Sequence, residues 1–389
     1  MNYRFVGMLS LGHMLTDVNQ GAVPALLPFL ISEHNLSYAA AAGIVFATNF
    51  SSTIVQPLFG HAADRFSKPW LLPLGVLLAG LGIGLTGIVP SYGWILIVSI
   101  ITGIGVAAYH PEGVRLANLV SGEKKGTAMS LFGVGGTFGF AVGPIFITSA
   151  LLYLGIHGTL VLLVPVSIMA IILFLNMNTF SVYSSNALQQ NNKSSNQRLQ
   201  DAWAPFARLT LMVITRSILF FGLNTFIPLY WIHVLGQSKA AGATALTIMA
   251  GSGVIGNLMG GWLADRFGHR KLLWIGLIAL IPLFPALLWA KNVYLATLLL
   301  VPIGLSMFGT YSPTIVMAQK YLPNHIGLSA GITIGVAVTI GGVSAPLLGK
   351  IADIHGIWSA LAAIMIFPVI SAGIGFTLPI PKEIPIKVS

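Results

Sequence analysis

A stripe of polar side chains interrupts the first apolar run of the chain. His13, Asp17 and Gln20 stand at i, i+4 and i+7, so on a helix they form one stripe on one face. Asp17 lies about 12 residues into that run, ~18 Å along a helix axis at 1.5 Å per residue. A carboxyl that deep in an apolar medium has two uses. It can load and release a proton as its solvation changes, or it can stay permanently neutral as a hydrogen-bonded tie between helices. His13 either shares that proton or donates to a carbonyl.

A second group falls at 109–115. Tyr109, His110, Pro111 and Glu112 are consecutive, and Arg115 follows Glu112 at i+3, the spacing of a helical ion pair. Pro111 removes a backbone donor and is expected to kink its helix, freeing a carbonyl. Glu112 either titrates during function or forms a static salt bridge with Arg115. The deepest basic residue of the second half is Arg216, with Phe220 and Asn224 at i+4 and i+8. Facing a cavity, its guanidinium would hold a carboxylate or phosphonate through two parallel hydrogen bonds. The alternative is snorkelling toward headgroups.

The elements that must carry these residues are membrane helices. Among 389 residues only 7% are charged and 56% are hydrophobic, with a mean hydropathy of +0.88. A soluble globule could not hide that much apolar surface, whereas a bilayer accepts it. A soluble enzyme and a nucleic-acid binder are excluded despite the net charge of +10. With no cysteine, disulfides, iron–sulfur sites and thiol catalysis are excluded too. No metal-ligand set, nucleophile–base pair or phosphate loop is visible along the sequence. Gly103 and Gly105 follow no strand and are not a nucleotide fingerprint. No cofactor is expected, and an ion or solute gradient must supply the drive.

Twelve apolar runs are long enough to cross a bilayer: 5–31, 38–60, 70–90, 93–117, 127–154, 158–178, 209–235, 241–263, 271–290, 294–319, 327–349 and 357–379. With both termini cytoplasmic, all Lys and Arg residues except Arg216, Lys239, Lys291 and Lys350 fall on the inside, the bias that fixes orientation. Residues 180–207 are rich in Ser, Asn and Gln and read as a mobile cytoplasmic linker. The chain therefore divides into 1–179, 180–207 and 208–389, an all-α integral membrane protein of two six-helix bundles.

The bundles repeat one another. Gly60, Asp64, Arg65 and Phe66 recur 201 positions on as Gly261, Asp265, Arg266 and Phe267. Tyr109 and Pro111 recur 202 positions on as Tyr311 and Pro313, and Pro144 as Pro346. Two six-helix repeats about a central cavity are a secondary-transporter plan. At the positions matching the 109–115 group the second half has Ser312, Thr314 and Met317, so proton chemistry is expected in the first half.

On these features the chain resembles the major facilitator superfamily. It resembles more narrowly the fosmidomycin-resistance-like branch of bacterial drug exporters, through Gly12, His13 and Asp17, His110-Pro111-Glu112 with Arg115, and the Gly135-Gly136, Phe138-Gly139 and Gly143-Pro144 pairs. The resemblance implies a multi-pass protein of the bacterial inner membrane, monomeric, with a small-molecule substrate, protons and lipid as its partners. It implies proton coupling at Asp17, His13, His110 and Glu112, and substrate contacts at Arg216, Gln20, Tyr109, Phe220, Asn224 and Tyr311. It makes Asp64, Arg65, Asp265, Arg266 and Arg270 a conformational latch closing one side; the simpler reading is that they are topology anchors. Pro111, Arg115, Gly139, Gly143 and Pro144 become gating or packing positions. Three features depart from the family pattern. Ser67-Lys68-Pro69 replaces the Gly and a basic residue of the first loop, 96–100 lacks an Arg, and Phe146-Ile147-Thr148 replaces the final glycines of the antiporter signature. The expected activity is proton-coupled export of drug-like or anionic compounds. The alternative is proton-coupled import of a small organic acid.

Overall fold

The computed structural model describes residues 1–65, 68–122, 125–190, 201–323, 325, 329, 332–333 and 337–380, with side chains described except at 57, 60–65, 125–127, 184–190 and 337–338. Among the described residues all regular structure is helical. The first half contains α1 (Tyr3–His34), α2 (Tyr38–Arg65), α3 (Leu71–Leu85), α4 (Tyr92–Val120), α5 (Lys125–Leu154), α6 (Leu163–Leu175) and α7 (Met177–Gln190). The second contains α8 (Trp203–His233), α9 (Lys239–Phe267), α10 (His269–Trp289), α11 (Val293–Gly309), α12 (Tyr311–Tyr321), α13 (Ala337–His355), α14 (Ile357–Ala363) and α15 (Ile366–Phe376).

Nine helical stretches among the described residues are long and apolar enough to cross a membrane. One of them, Ala128–Leu175, is 48 residues long and joins the fifth and sixth apolar runs, turning at Gly155 with φ of 63°. The third run yields only the 15 residues of α3. Large apolar side chains point outward along the bundle, with Leu175 74% and Leu298 66% exposed, as a surface turned to lipid must have. Exposed Trp94, Tyr153, Trp289 and Tyr294 sit near one end and Trp70, Trp203 and Trp262 near the other, where their rings suit the membrane interface.

One element differs from the sequence reading. Helix α7 runs eleven residues into the stretch read as linker, because Phe180 is buried and stacks edge-on against Phe5 at 5.4 Å, with Tyr183 beside it at 6.1 Å. An apolar face, not overall composition, decides that segment. The helix containing Pro111 continues unbroken to Val120, whereas its counterpart stops at Gly309 and restarts at Tyr311.

The halves meet along α2 with α13 and α5 with α9. Their polar contacts gather at the end of the bundle away from residue 1. There Asp353 accepts the backbone N–H groups of Tyr38 at 2.6 Å and Ala39 at 3.0 Å, the first donors of α2 (unpaired within any helix). Lys239 donates to Ser32 at 3.1 Å and lies 4.4 Å above the Phe29 ring.

Candidate transport site

A cavity of about 430 Å³ lies between the halves, with His13, Asp17 and Gln20 on one wall and Arg216, Asn224 and Tyr311 on the other. Its first-half wall is built around Asp17. His13 Nε2 lies 3.3 Å from one carboxylate oxygen and His110 Nε2 3.1 Å from the other. Each imidazole is held from behind: His13 Nδ1 is 2.8 Å from the Phe132 carbonyl and His110 Nδ1 is 2.9 Å from the Val106 carbonyl. A carbonyl only accepts, so both Nδ1 atoms carry hydrogen and both neutral rings turn a bare Nε2 toward Asp17. Each short N–O contact then needs a hydrogen between its two acceptors. The cluster is assembled from α1 and α4. The His13 ring both lies against Asp17 and donates to a carbonyl.

Helix α1 is held by α5 without an intervening layer of side chains. A Cβ on Gly135, Gly139 or Gly143 would sit 2.1–2.4 Å from the carbonyl oxygens of Ser10, Met14 and Val18 respectively. Both sets step by four residues, so the two backbones lie turn against turn, as small residues allow in membranes. That is the role of Gly139 and Gly143 in this structure. Gly136 faces the cluster itself: a Cβ there would lie 2.4 Å from His13 Nε2 and 2.7 Å from Asp17 Oδ2. Gly136→Ala should displace His13, lower the melting temperature by the equivalent of about 1–3 kcal/mol of overpacking, and cut transport. Gly7→Ala, with open space around it, should leave both unchanged; equal effects of the two substitutions in thermal melts and uptake assays would refute this steric account.

Across the cavity, Arg216 is 8% exposed and donates from Nη1 to the Met307 carbonyl at 3.2 Å. Its Nε and the Asn224 Oδ1 are buried and unpartnered. Arg216 forms no ion pair with Asp17, since each is engaged within its own half. Phe220 fills the space between, 6.4 Å from Phe140 of the first half and 5.7 Å from Phe308. The break after Gly309 brings Tyr311 to the start of α12 on the cavity wall. Gln20 donates to Asn49 Oδ1 at 2.8 Å.

Several expected site residues lie elsewhere. Tyr109 is fully buried between α4 and α1, its hydroxyl donating to the Leu9 carbonyl at 2.6 Å. It fits because Gly12 has no Cβ, which would lie 2.3 Å from the Tyr109 oxygen. Glu112 is also fully buried and off the cavity lining, gripped by Arg115 through Nε at 3.0 Å and Nη2. A buried pair of that kind is a structural tie, costly to open. Asp64 and Arg65 lie outside the residues whose side chains are described. Asp265 is 3.6 Å from His269, Arg266 packs on Trp262 and Phe267, and Arg270 donates to the Phe376 carbonyl at 3.0 Å while stacking on Trp274. These partners all belong to the second half. Residue composition did not single out the amides Asn49, Gln56 and Asn257, which line the cavity. Gln56 and Asn257 are 201 positions apart, the repeat offset, so the internal repeat carried a signal for that pair.

The model of the Major Facilitator Superfamily matches residues 9–328. The chain belongs to that superfamily. Its members are transporters and not enzymes, and this one is a multi-pass membrane transporter. Among curated relatives, the MFS-type transporter YfnC of Bacillus subtilis strain 168, itself uncharacterised, is 30% identical over 98% of this chain and 94% of its own length. The fosmidomycin resistance protein of Escherichia coli K12 is 28% identical over 90% of this chain and 87% of its own. Among solved structures, a bacterial homologue of the human lysosomal transporter Spinster superposes with a TM-score of 0.79 at 16% identity, covering 97% of both chains. That likeness concerns the fold.

Proposed function

We propose that this transporter exchanges protons for small anionic or drug-like compounds, carrying them out of the cell by alternating access. The carrying observation is the Asp17 carboxylate within 3.3 Å of the Nε2 atoms of both His13 and His110, on the wall of a cavity that also presents Arg216. The anion binds Arg216, whose Nε is unpartnered. The proton enters the Asp17 cluster when the site faces outward and leaves it when the site faces the cytoplasm. The relative named for fosmidomycin resistance supports the outward direction for the cargo. The protein works as a monomer in the bacterial inner membrane, with twelve spans and both termini in the cytoplasm; α13 and the short α3 complete the count. In that orientation Asp353 closes the outer end, and the loops of Asp64 and Asp265 close the inner end in the opposite state.

The reading is tested in proteoliposomes enclosing a pH-sensitive dye. Adding fosmidomycin or a simple phosphonate should move protons with the wild type and not with empty vesicles; substrate movement without proton movement refutes coupling. Asp353→Asn tests the outer closure. Removing one charged cap costs about 0.5–2 kcal/mol, so labelling of a cysteine placed near Ala39 should rise about 2- to 30-fold. The chain has no cysteine of its own to remove. Unchanged labelling would leave Asp353 a cap with no part in closure.

A further inference from the structure

The cluster that serves the proton has a second chemistry. One ligand atom from each of His13, Asp17 and His110 lies within 4.8 Å of the other two. The two contacts run to different oxygens of Asp17, 3.3 Å from His13 and 3.1 Å from His110, so each imidazole lies near the ligand-to-ligand spacing of about 3.3 Å that metal bonds of ~2.0–2.1 Å give. No short motif announces the set, because His110 comes from α4 and the other two from α1. Direction matters as much as distance. The carbonyls of Phe132 and Val106 fix both Nδ1 atoms as donors, and a backbone carbonyl behind a ligating imidazole is the usual outer partner at metal sites. Both Nε2 atoms therefore meet at the Asp17 carboxylate, the point where a cation would be held. The glycine at 136 keeps a flank of that point clear, since any side chain there would touch both His13 and Asp17. The remaining face opens on the cavity, leaving a position for water or a ligand.

We propose that His13, Asp17 and His110 bind one divalent cation of the zinc class in place of the protons they otherwise hold. Two imidazoles and one carboxylate suit zinc, cobalt and nickel and not calcium or magnesium, which favour all-oxygen shells. The site goes beyond the transport reading and does not depend on it, because binding is measured on purified protein without a gradient.

The experiment is equilibrium dialysis of the full chain in detergent against Zn²⁺, using an affinity tag without histidine, with Co²⁺ absorption as a second readout of ligand type. Expected are one metal per chain, a Co²⁺ spectrum of low coordination number, and at least ~10-fold weaker binding in each of His13→Gln, Asp17→Asn and His110→Gln. Magnesium should not compete. Each variant is checked for a single symmetric elution peak, and Asp17→Asn, equal in size to the original, should keep its fold. Wild-type protein that binds no zinc, or variants that bind it unchanged, would overturn the proposal. An octahedral cobalt spectrum identical in wild type and Asp17→Asn would overturn it too, placing the metal on other histidines.

Discussion

Asp17→Asn should reduce the steady-state accumulation ratio of substrate to one, the value set by passive equilibration. Asparagine keeps the shape of the carboxyl and can satisfy one imidazole with its amide, but it takes up no proton in the working range. No other carboxylate stands on the described cavity wall, since Glu112 is buried and held by Arg115 away from the cavity. Binding should survive within about threefold, or ~0.6 kcal/mol, because the neutral amide resembles the protonated acid. Proteoliposome uptake with and without an imposed pH gradient measures the first quantity, and ligand binding in detergent the second. A variant that still concentrates substrate places the coupling group elsewhere.

On the proposed function, Arg216 governs recognition. A charge-assisted hydrogen bond to an anion is worth roughly 1.5–3 kcal/mol, or about 10- to 150-fold in affinity. Arg216→Gln should lose nearly all of it. Arg216→Lys keeps the charge without the planar fork and should fall between. Because Arg216 is paired with the Met307 carbonyl and not with Asp17, its substitutions should add to Asp17→Asn in a double-mutant cycle on binding. Strong coupling between the two would mean that they approach each other in the bound state. Unchanged binding in both Arg216 variants would remove the case for an anionic cargo.

The membrane class, the repeat and the polar stripe of α1 were legible in the sequence because each is a local or periodic property. A carboxylate in an apolar run stands out whatever its neighbours, and Asp17 and Arg216 both prove to line the cavity. What the sequence could not disclose depends on which helices touch. His110 meets Asp17 across 93 positions, so the ligand set His13–Asp17–His110 was invisible where a search along the chain found none. Tyr109 and His110 are neighbours in sequence, yet the helix turns one into the α1 interface and the other toward the cavity. Asp353 carried no motif; its meaning comes from the end of α2 that happens to face it. The polar composition of 180–190 concealed the apolar pair Phe180 and Tyr183, which a helical wheel of α7 would have placed on one side.

The contact between α1 and α5 has a consequence for how such a chain can change. Gly135, Gly139 and Gly143 set main chain directly against main chain, and the histidines are steered by carbonyls of residues 106 and 132. The Asp17 cluster is thus positioned by atoms that almost every amino acid shares. Gln20, Asn49, Phe220 and Asn224, by contrast, meet the cavity through their side chains. Substitutions at those positions can redraw the cavity's outline while the Asp17 cluster stays in register. On the proposed function, selectivity and power are then physically separable, and a new specificity could evolve without the engine being rebuilt.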